Sequence, residues 1–220
     1  MMLVTDITLS MANFATFYRG SLFKGYTSSS EFSNGGFCAT FKLSNNGQYY
    51  AYRVPHSTPA NAEYQQKVIK WLEQVNSNYL AKFGEEDRSL LVNGKLLNVS
   101  YMQWIEGLTL GDYIKANYAD KTTMINLANN FLTLTQWLHD NQISHGDLND
   151  HNIMVRPDGS LVLIDYDTLC FASIEGKYNE TSVGKANYQH PSRMQGQANK
   201  LSLKADYPTR RKTSPFRGRI

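Results

Sequence analysis

Alternating apolar and polar positions in the first half of the chain predict two β-hairpins. Phe37–Leu43 and Tyr49–Val54 show this alternation on either side of a polar turn that ends in glycine. Ser89–Val92 and Lys95–Met102 flank an Asn-Gly dipeptide, which favours a two-residue hairpin turn. Residues 1–32 are rich in Ser, Thr and Phe and show no firm periodicity. We therefore expect a small antiparallel sheet that follows an N-terminal extension.

Helical spacing appears between the two hairpins and again after the second one. Pro59 can open the first helix, in which apolar residues repeat every three or four positions. These residues are Tyr64, Val68, Trp71, Leu72 and Val75. Leu110–Ala116 and Thr123–Asp140 predict two more helices, and the short apolar strands Ile153–Val155 and Leu161–Ile164 follow. The apolar stripe of the longer helix comprises Met124, Leu127, Ala128, Phe131, Leu134 and Leu138.

The order of these elements predicts the fold class. Strands with one helix come first, and helices that enclose a small hairpin come second, which indicates an α+β protein in two lobes. The first lobe is a small antiparallel sheet with one helix, and the second lobe is mostly helical. We accordingly divide the chain into an extension (1–32), a first lobe (33–103), a second lobe (104–207) and a basic tail (208–220).

Composition and charge exclude several classes of protein. Of the 220 residues, 41% are hydrophobic and 19% are charged, as in soluble globular proteins. Five basic residues lie in the last eleven, and without them the net charge changes from +3 to −2, so the body lacks a basic surface for nucleic acid. No run of eighteen apolar residues predicts a membrane-spanning helix, and the start of the chain lacks the basic region of a secretion signal. Two cysteines do not make a disulfide framework or a four-ligand zinc site. We therefore expect a cytoplasmic protein that binds neither nucleic acid nor membranes.

The densest cluster of polar residues is His145–Asn152, between the longer helix and the last pair of strands. Thirteen residues after Asn152, Asp165 ends the strand Leu161–Ile164. Carboxylates and an amide that converge from a loop and a strand end can hold Mg²⁺, which prefers oxygen ligands and takes phosphates as its other partners. A further carboxylate, Asp147, would orient or deprotonate an attacking hydroxyl. This pattern is typical of metal-assisted phosphoryl transfer.

The segment Trp137–Asp167 resembles the catalytic core of the protein-kinase-like superfamily in residue types, spacing and expected elements. The resemblance implies that Asp147 is the catalytic aspartate. It also implies that Asn152 and Asp165 are catalytic residues that bind Mg²⁺, with ATP as the second cofactor. The resemblance covers roughly residues 30–207, and it implies a bilobal kinase fold whose second lobe is shortened.

The same resemblance implies a nucleotide site upstream of the catalytic segment. Its residues, from the phosphate-covering loop to the hinge between the lobes, are Gly35, Gly36, Ala51, Arg53, Glu63, Met102, Gln103 and Trp104. Arg53 would bind the α- and β-phosphates, and Glu63, which we prefer over Glu73, would pair with it. Backbone groups of the hinge Met102–Gly107 would bind adenine. Downstream, Gly184–Arg193 resembles the end of the activation segment in a group of bacterial protein kinases.

Several positions depart from the pattern of most protein kinases. Only Gly35 matches one of the three glycines of the phosphate-covering loop. Arg53 replaces a lysine, and the planar fork of arginine binds phosphate differently. Asn149 stands where many protein kinases have a phosphate-binding lysine in the catalytic loop. Gly146 replaces an arginine and Asp167 replaces a glycine, two features that also occur in small-molecule phosphotransferases such as aminoglycoside and choline kinases.

Three functions stay open on these grounds. The first is a protein Ser/Thr kinase, because the chain between Asp165 and His190 resembles a peptide-accepting platform. The second is a kinase of small molecules, which the replacements at positions 146 and 167 favour. The third is a kinase fold without catalytic activity that binds a partner, since Pro208–Ile220 has no apolar periodicity where the family continues with helices.

The end of the chain carries two further expectations. Asp206 resembles the aspartate that anchors the catalytic loop, at the start of a helix that Pro208 would interrupt. Without the later helices, the helices of the second lobe would expose apolar faces to a host protein or to a second copy of the chain. The protein would act in the cytoplasm, or in a host cell if it is a delivered effector.

Overall fold

The computed structural model divides the chain into two compact units, Met1–Glu106 and Gly107–Ile220. The residues that the structure describes are 2–35, 37–57, 61–180, 184–188, 193 and 200–206. Gly36, Pro59 and the tail 208–220, for which the sequence made predictions, lie outside these residues. Within the described ranges, no helix is both long and apolar enough to cross a lipid bilayer.

The first unit contains a five-stranded antiparallel sheet in the order β1-β2-β3-β5-β4. Its strands are β1 (Thr27–Asn34), β2 (Cys38–Asn45), β3 (Gln48–Pro55), β4 (Phe83–Val92) and β5 (Lys95–Gln103). Asn46, Gly47, Asn93 and Gly94 all have φ between 46° and 80° in the two tight turns. Positive φ at both central residues gives a turn whose twist matches that of the flanking strands. Both predicted hairpins are therefore confirmed.

Among the described residues of this unit, three helices accompany the sheet: α1 (Val4–Ala12), α2 (Phe14–Phe17) and α3 (Ala62–Gln74). The helix α3 is the one that the sequence predicts. Asn61 caps it by accepting a hydrogen bond from the Tyr64 amide at 3.2 Å. Tyr64, Val68 and Leu72 form its buried stripe at the expected helical spacing. The short helices α1 and α2 lie in the extension, for which the sequence predicts no element.

The extension belongs to the hydrophobic core of the first unit. Its buried apolar residues are Ile7, Met11, Phe14, Tyr18, Phe23 and Tyr26. They pack with the sheet residues Tyr52 and Val54, both fully buried. The ring of Phe23 lies 5.1–6.4 Å from those of five tyrosines. Because strand side chains alternate between faces, Ala51 and Arg53 point to the opposite face of β3.

A buried carboxylate fixes the turn that follows α2. Glu86 on β4 accepts hydrogen bonds from the Tyr18 hydroxyl at 2.8 Å and from the amides of Ser21 and Leu22 at 2.8 and 3.1 Å. The Tyr18 oxygen in turn accepts from the Phe23 amide at 2.7 Å. Burial, together with the hydrogen bond to Glu86, raises the pKa of the Tyr18 phenol. A network in which each buried group is satisfied holds an irregular segment in one conformation.

The described part of the second unit includes the helices α4 (Leu110–Asn117) and α5 (Lys121–Asp140). Its short strands are β6 (Leu108–Thr109), β7 (Ile143–Ser144), β8 (Ile153–Val155), β9 (Leu161–Leu163) and β10 (Cys170–Phe171). The order in its larger sheet is β6-β8-β9, and β7 pairs with β10. The helix α5 begins two residues before the predicted start, because the Asp120 carboxylate accepts from the amides of Thr122 and Thr123. The expected α+β class is confirmed. The elements that the sequence analysis did not predict are α1, α2, β1, β6, β7 and β10.

The predicted apolar stripe of α5 is buried in part. Leu127, Leu134 and Leu138 are buried, and Met124 and Phe131 are half-buried. Ala128 is exposed, contrary to the stripe we predicted, because the buried face is centred on Leu127 and Ala128 lies about 100° around the helix from it. The apolar side chains Ile125 and Leu132 are 50% and 66% exposed, and α4 has no buried residue.

Candidate active site

The loop 145–152 connects β7 to β8 and is anchored by one carboxylate. Asp206 accepts hydrogen bonds from the Ser144 hydroxyl at 3.0 Å, the Gly146 amide at 2.9 Å and the His145 amide. The predicted anchoring role of Asp206 is thereby confirmed. The backbone at Gly146 has φ of +78°, and a Cβ there would collide with the Thr168 carbonyl. Only glycine fits this position, which is a structural reason for its presence after His145.

His145 supports the loop from inside. Its ring is fully buried, and Nε2 lies 2.9 Å from the Ile164 carbonyl oxygen. The Thr168 hydroxyl donates to the His145 carbonyl at 3.0 Å. Both contacts tie the loop to the chain around the end of β9, so His145 has a structural role.

Asp147 and Asn152 form a hydrogen-bonded pair at the two ends of the turn. Asn152 Nδ2 donates to the Asp147 carbonyl at 2.9 Å and to its carboxylate Oδ2 at 3.1 Å. The other carboxylate oxygen, Oδ1, accepts from the Lys185 amide at 3.0 Å. The Asp147 carboxylate is therefore held in a fixed orientation by donors from its own loop and from the segment around Lys185.

Asp165 lies next to both ends of the same loop. The preceding residue, Ile164, donates its amide to the Asn152 carbonyl at 3.0 Å and accepts from His145. Asp165 itself has φ of +67°, in the left-handed region that aspartate tolerates better than most residues. This conformation turns the chain sharply at the end of β9, beside Asn152.

The side-chain oxygens of Asn152 and Asp165 are suitable ligands for a Mg²⁺ ion whose other ligands are phosphate oxygens. The amide nitrogen of Asn152 is committed to Asp147, so its Oδ1 is the atom available as a ligand, and no described residue donates to it. Within the described ranges, no three His, Cys, Asp or Glu side chains form a metal-binding group. An amide oxygen and a carboxylate suit Mg²⁺, which commonly takes few protein ligands and completes its shell with phosphate and water.

A buried ion pair adds a second anchor, which the sequence analysis missed. Arg193 Nε lies 2.9 Å from Glu180 Oε1, with side chains only 3% and 5% exposed. Arg193 also donates through its Nη1 to the Gly146 carbonyl. The pair thus ties the polar region after Asp165 to the loop 145–152. Only the three-dimensional structure pairs two charged residues that are thirteen positions apart in a region without periodicity.

Replacing Asp206 with alanine should destabilise the second unit by roughly 3 kcal/mol or more, since buried donors of Ser144 and His145 lose their acceptor. Urea unfolding measures this change. Asp158 is the control, because its carboxylate also accepts hydrogen bonds, two from Ser160, but lies exposed. We expect Asp158→Ala to cost less than about 1 kcal/mol. Equal losses for the two variants would contradict the anchoring role.

The first unit carries the residues predicted to bind nucleotide. Ala51 is buried and Arg53 half-buried on the same face of β3, and Met102 is the partner of Ala51 across the β3–β5 pair. Glu63 lies exposed in the first turn of α3, and Glu73 lies in its last turn. The choice between these two glutamates as the partner of Arg53 stays a prediction.

The ends of the sheet show how the two predicted nucleotide-binding segments are held. The Gly35 carbonyl lies 3.1 Å from His56 Nε2, and its amide donates to the Cys38 carbonyl at 2.9 Å. After β5, the amides of Gln103 and Trp104 donate to the Lys82 and Tyr49 carbonyls at 2.8 and 3.2 Å.

The next residue of the hinge, Ile105, is buried, and no described residue bonds to its backbone N–H or C=O. Ile105 belongs to the hinge Met102–Gly107, whose backbone groups the kinase resemblance assigns to adenine, and this role stays a prediction.

Comparisons with known proteins agree with this geometry. The family model described as protein kinase domain matches residues 26–207. The chain is 29% identical over 145 residues to a probable serine/threonine-protein kinase of Dictyostelium discoideum, a match that covers 66% of this chain and 20% of the relative. It is 25% identical over 127 residues to a serine/threonine-protein kinase of Bacillus subtilis, covering 57% of this chain and 18% of the relative.

A probable serine/threonine-protein kinase of Clostridium acetobutylicum is 34% identical over 104 residues, with 45% of this chain and 16% of the relative covered. The chain spans a fifth or less of the length of these three relatives. The family match nevertheless includes the whole five-stranded sheet, the loop that carries Asp147 and Asn152, and the anchoring Asp206. The chain therefore belongs to the protein kinase domain family.

Proposed function

We propose that the chain is an ATP- and Mg²⁺-dependent protein kinase that phosphorylates serine or threonine hydroxyls. The observation that carries this proposal is the fixed Asp147 carboxylate, with Asn152 Nδ2 at 3.1 Å from one oxygen and the Lys185 amide at 3.0 Å from the other. A carboxylate held in this way can receive an acceptor hydroxyl without reorganisation. The names of the relatives support the serine/threonine class.

Different residues of the second unit would have different roles in phosphoryl transfer. Asp147 would orient the acceptor hydroxyl and take its proton as the oxygen attacks the γ-phosphorus. Asn152 and Asp165 would hold Mg²⁺, which supplies charge neutralisation for the phosphates when bound. In the first unit, Arg53 would bind the α- and β-phosphates with its guanidinium group. Catalysis would then consist of positioning and electrostatic stabilisation.

A small-molecule acceptor is the second candidate, and the structure weakens part of its support. Gly146 was one of the two residues that favoured it. The backbone at this position requires glycine because of the Thr168 carbonyl, whatever the acceptor is. Asp167 remains as the feature in its favour. Against it, the backbone of Lys185 lies at the catalytic carboxylate, where the end of an activation segment would form a surface for a peptide.

Incubation with γ-labelled ATP and Mg²⁺, alone and with cell lysate, tests the proposal. We expect label in protein bands on phosphoserine or phosphothreonine. Label only in small solutes would support the second candidate, and the absence of any transfer would contradict both.

Replacing Asp165 with alanine should remove the Mg²⁺-dependent stabilisation by ATP and leave the fold intact, because Asp165 lies two residues beyond β9 and is only half-buried. A site occupied at 100 times Kd stabilises a protein by about 2.7 kcal/mol, which thermal unfolding detects easily. Asp158→Ala serves again as the exposed aspartate control. A mutant at position 165 that retains the full Mg²⁺-dependent shift in Tm would contradict the metal-binding role.

A further inference from the structure

The catalytic loop lacks a cation of its own for the phosphoryl group. Residues 145–152 contain no lysine or arginine, and Asn149 stands where many protein kinases have a phosphate-binding lysine. The loop does contain the carboxylates of Asp147 and Asp150, and two more follow at Asp165 and Asp167. A transferring phosphoryl group carries negative charge on its three equatorial oxygens and needs positive charge close by. Besides Mg²⁺, a lysine or arginine that binds this group must therefore come from outside the loop.

Lys185 reaches this loop through both its backbone and its side chain. Its amide donates to Asp147 Oδ1 at 3.0 Å, and its Nζ lies 2.6 Å from Asp150 Oδ1. The ammonium also lies 5.4 Å from the centre of the Tyr188 ring. Asp150 is fixed in the loop, since its carbonyl accepts from the Gly111 amide at 3.1 Å. The ammonium of Lys185 is thereby held at Asp150, which follows Asp147 by three residues in the chain.

Exposure distinguishes Lys185 from Arg193, another basic residue of the described part of the chain that contacts the loop. Arg193 donates to the Gly146 carbonyl, but its side chain is 3% exposed and committed to Glu180. The side chain of Lys185 is 42% exposed. A lysine ammonium has three N–H donors, so Lys185 keeps two for another acceptor while one bonds to Asp150. Its flexible stem lets the charge follow that acceptor.

We propose that Lys185 is a catalytic residue whose ammonium binds the γ-phosphoryl group during transfer, an inference that rests on the proposed kinase function. In this step the acceptor oxygen forms a bond to the γ-phosphorus, and the bond from that phosphorus to the bridging oxygen of ADP breaks. The hydroxyl proton goes to Asp147. Lys185 keeps its protons and donates hydrogen bonds to the γ-phosphoryl oxygens. Asp150 is the positioning residue that holds Lys185 over the loop.

Nucleotide binding tests this role independently of turnover. We compare Lys185→Met and Lys185→Arg by calorimetric titration with Mg²⁺ and either ADP or the β,γ-imido analogue of ATP. Lys185→Met should raise the Kd of the ATP analogue about tenfold and leave that of ADP within about twofold, because only the former has a γ-phosphoryl group. It should lower kcat about 100-fold, whereas Lys185→Arg retains the charge and most of the activity.

Lys115→Met is the matched control, since it also removes a lysine that pairs with an aspartate, at 3.0 Å from Asp112. This variant should behave like the wild type. If Lys185→Met leaves both Kd values and kcat unchanged, the proposal is overturned while the kinase function stands. A loss of ADP affinity equal to that of the ATP analogue would also overturn it. A wild-type protein that binds neither nucleotide would overturn the kinase function itself.

A double-mutant cycle with Asp150→Asn separates catalysis from simple bracing of the loop. If Lys185 acts only through its ion pair with Asp150, Lys185→Met should cause no further loss of kcat in the Asp150→Asn background. We expect a further loss of at least about tenfold there, because the ammonium still reaches the phosphoryl group through its flexible stem. If the double variant has the same kcat as Asp150→Asn alone, the proposal is overturned.

Discussion

Replacing Asp147 with asparagine should reduce phosphoryl transfer by about 10²–10⁴-fold, the range that a positioned general base contributes. ATP binding should stay nearly intact, because the change removes a proton acceptor and not a metal ligand. The amide has the shape of the carboxylate and can still present one oxygen to Asn152 Nδ2 or to the Lys185 amide, the donors that hold Asp147.

Transfer rates and nucleotide Kd values measured on the same preparation decide the role of Asp147. Asp140→Asn is a suitable control, since Asp140 is an exposed aspartate at the end of α5 that also bonds to neighbouring side chains. If Asp147→Asn loses nucleotide binding and transfer together, Asp147 holds metal or structure and is not the base.

Deleting residues 2–26 should prevent the first unit from folding. The segment contributes six buried apolar side chains to the core, and each contributes about 1.5–3 kcal/mol when fully buried. Together they match or exceed the 5–15 kcal/mol by which a typical domain is stable. The deletion would also remove the donors of the buried Glu86 carboxylate. Circular dichroism and NMR of the truncated protein should show loss of the sheet.

A single substitution at the centre of the same cluster gives a graded form of this test. Phe23→Ala should cost about 3–5 kcal/mol in chemical unfolding, because the ring contacts five tyrosines and leaves a cavity. Leu22→Ala, one position away, removes a side chain that is 54% exposed and should cost well under 1 kcal/mol.

For the deletion of residues 2–26, a truncated protein that retains the native sheet would show that the extension is dispensable.

Local signals explain which parts of the fold and the site could be predicted from the sequence. The hairpin at Asn93-Gly94 and the loop His145–Asn152 are recognisable because their residues are adjacent in the chain and chemically distinctive. Asp206 was also recognisable as an anchor, through its place after the catalytic segment. These features need no knowledge of distant contacts.

Features that depend on distant contacts were missed. The segment around Phe23 is irregular, and partners on β3 and β5 decide its burial. In α1 and α2, by contrast, the buried residues Ile7, Met11 and Phe14 do lie at helical spacing, a signal that the sequence analysis missed. The contact of Lys185 with Asp150 joins residues thirty-five positions apart in the chain. Ala128 was assigned to the buried stripe of α5 because helical spacing alone cannot show how wide the buried face is.

The carboxylate of Glu86 has a consequence for how the chain can vary. A Cβ at Gly20 would collide with that carboxylate, and the hydrogen bonds from Tyr18, Ser21 and Leu22 keep it from moving aside. Neither position can therefore change freely by itself. A larger residue at position 20 becomes acceptable only when position 86 carries a shorter side chain, so we expect substitutions at these two positions to occur together although they lie sixty-six positions apart in the chain.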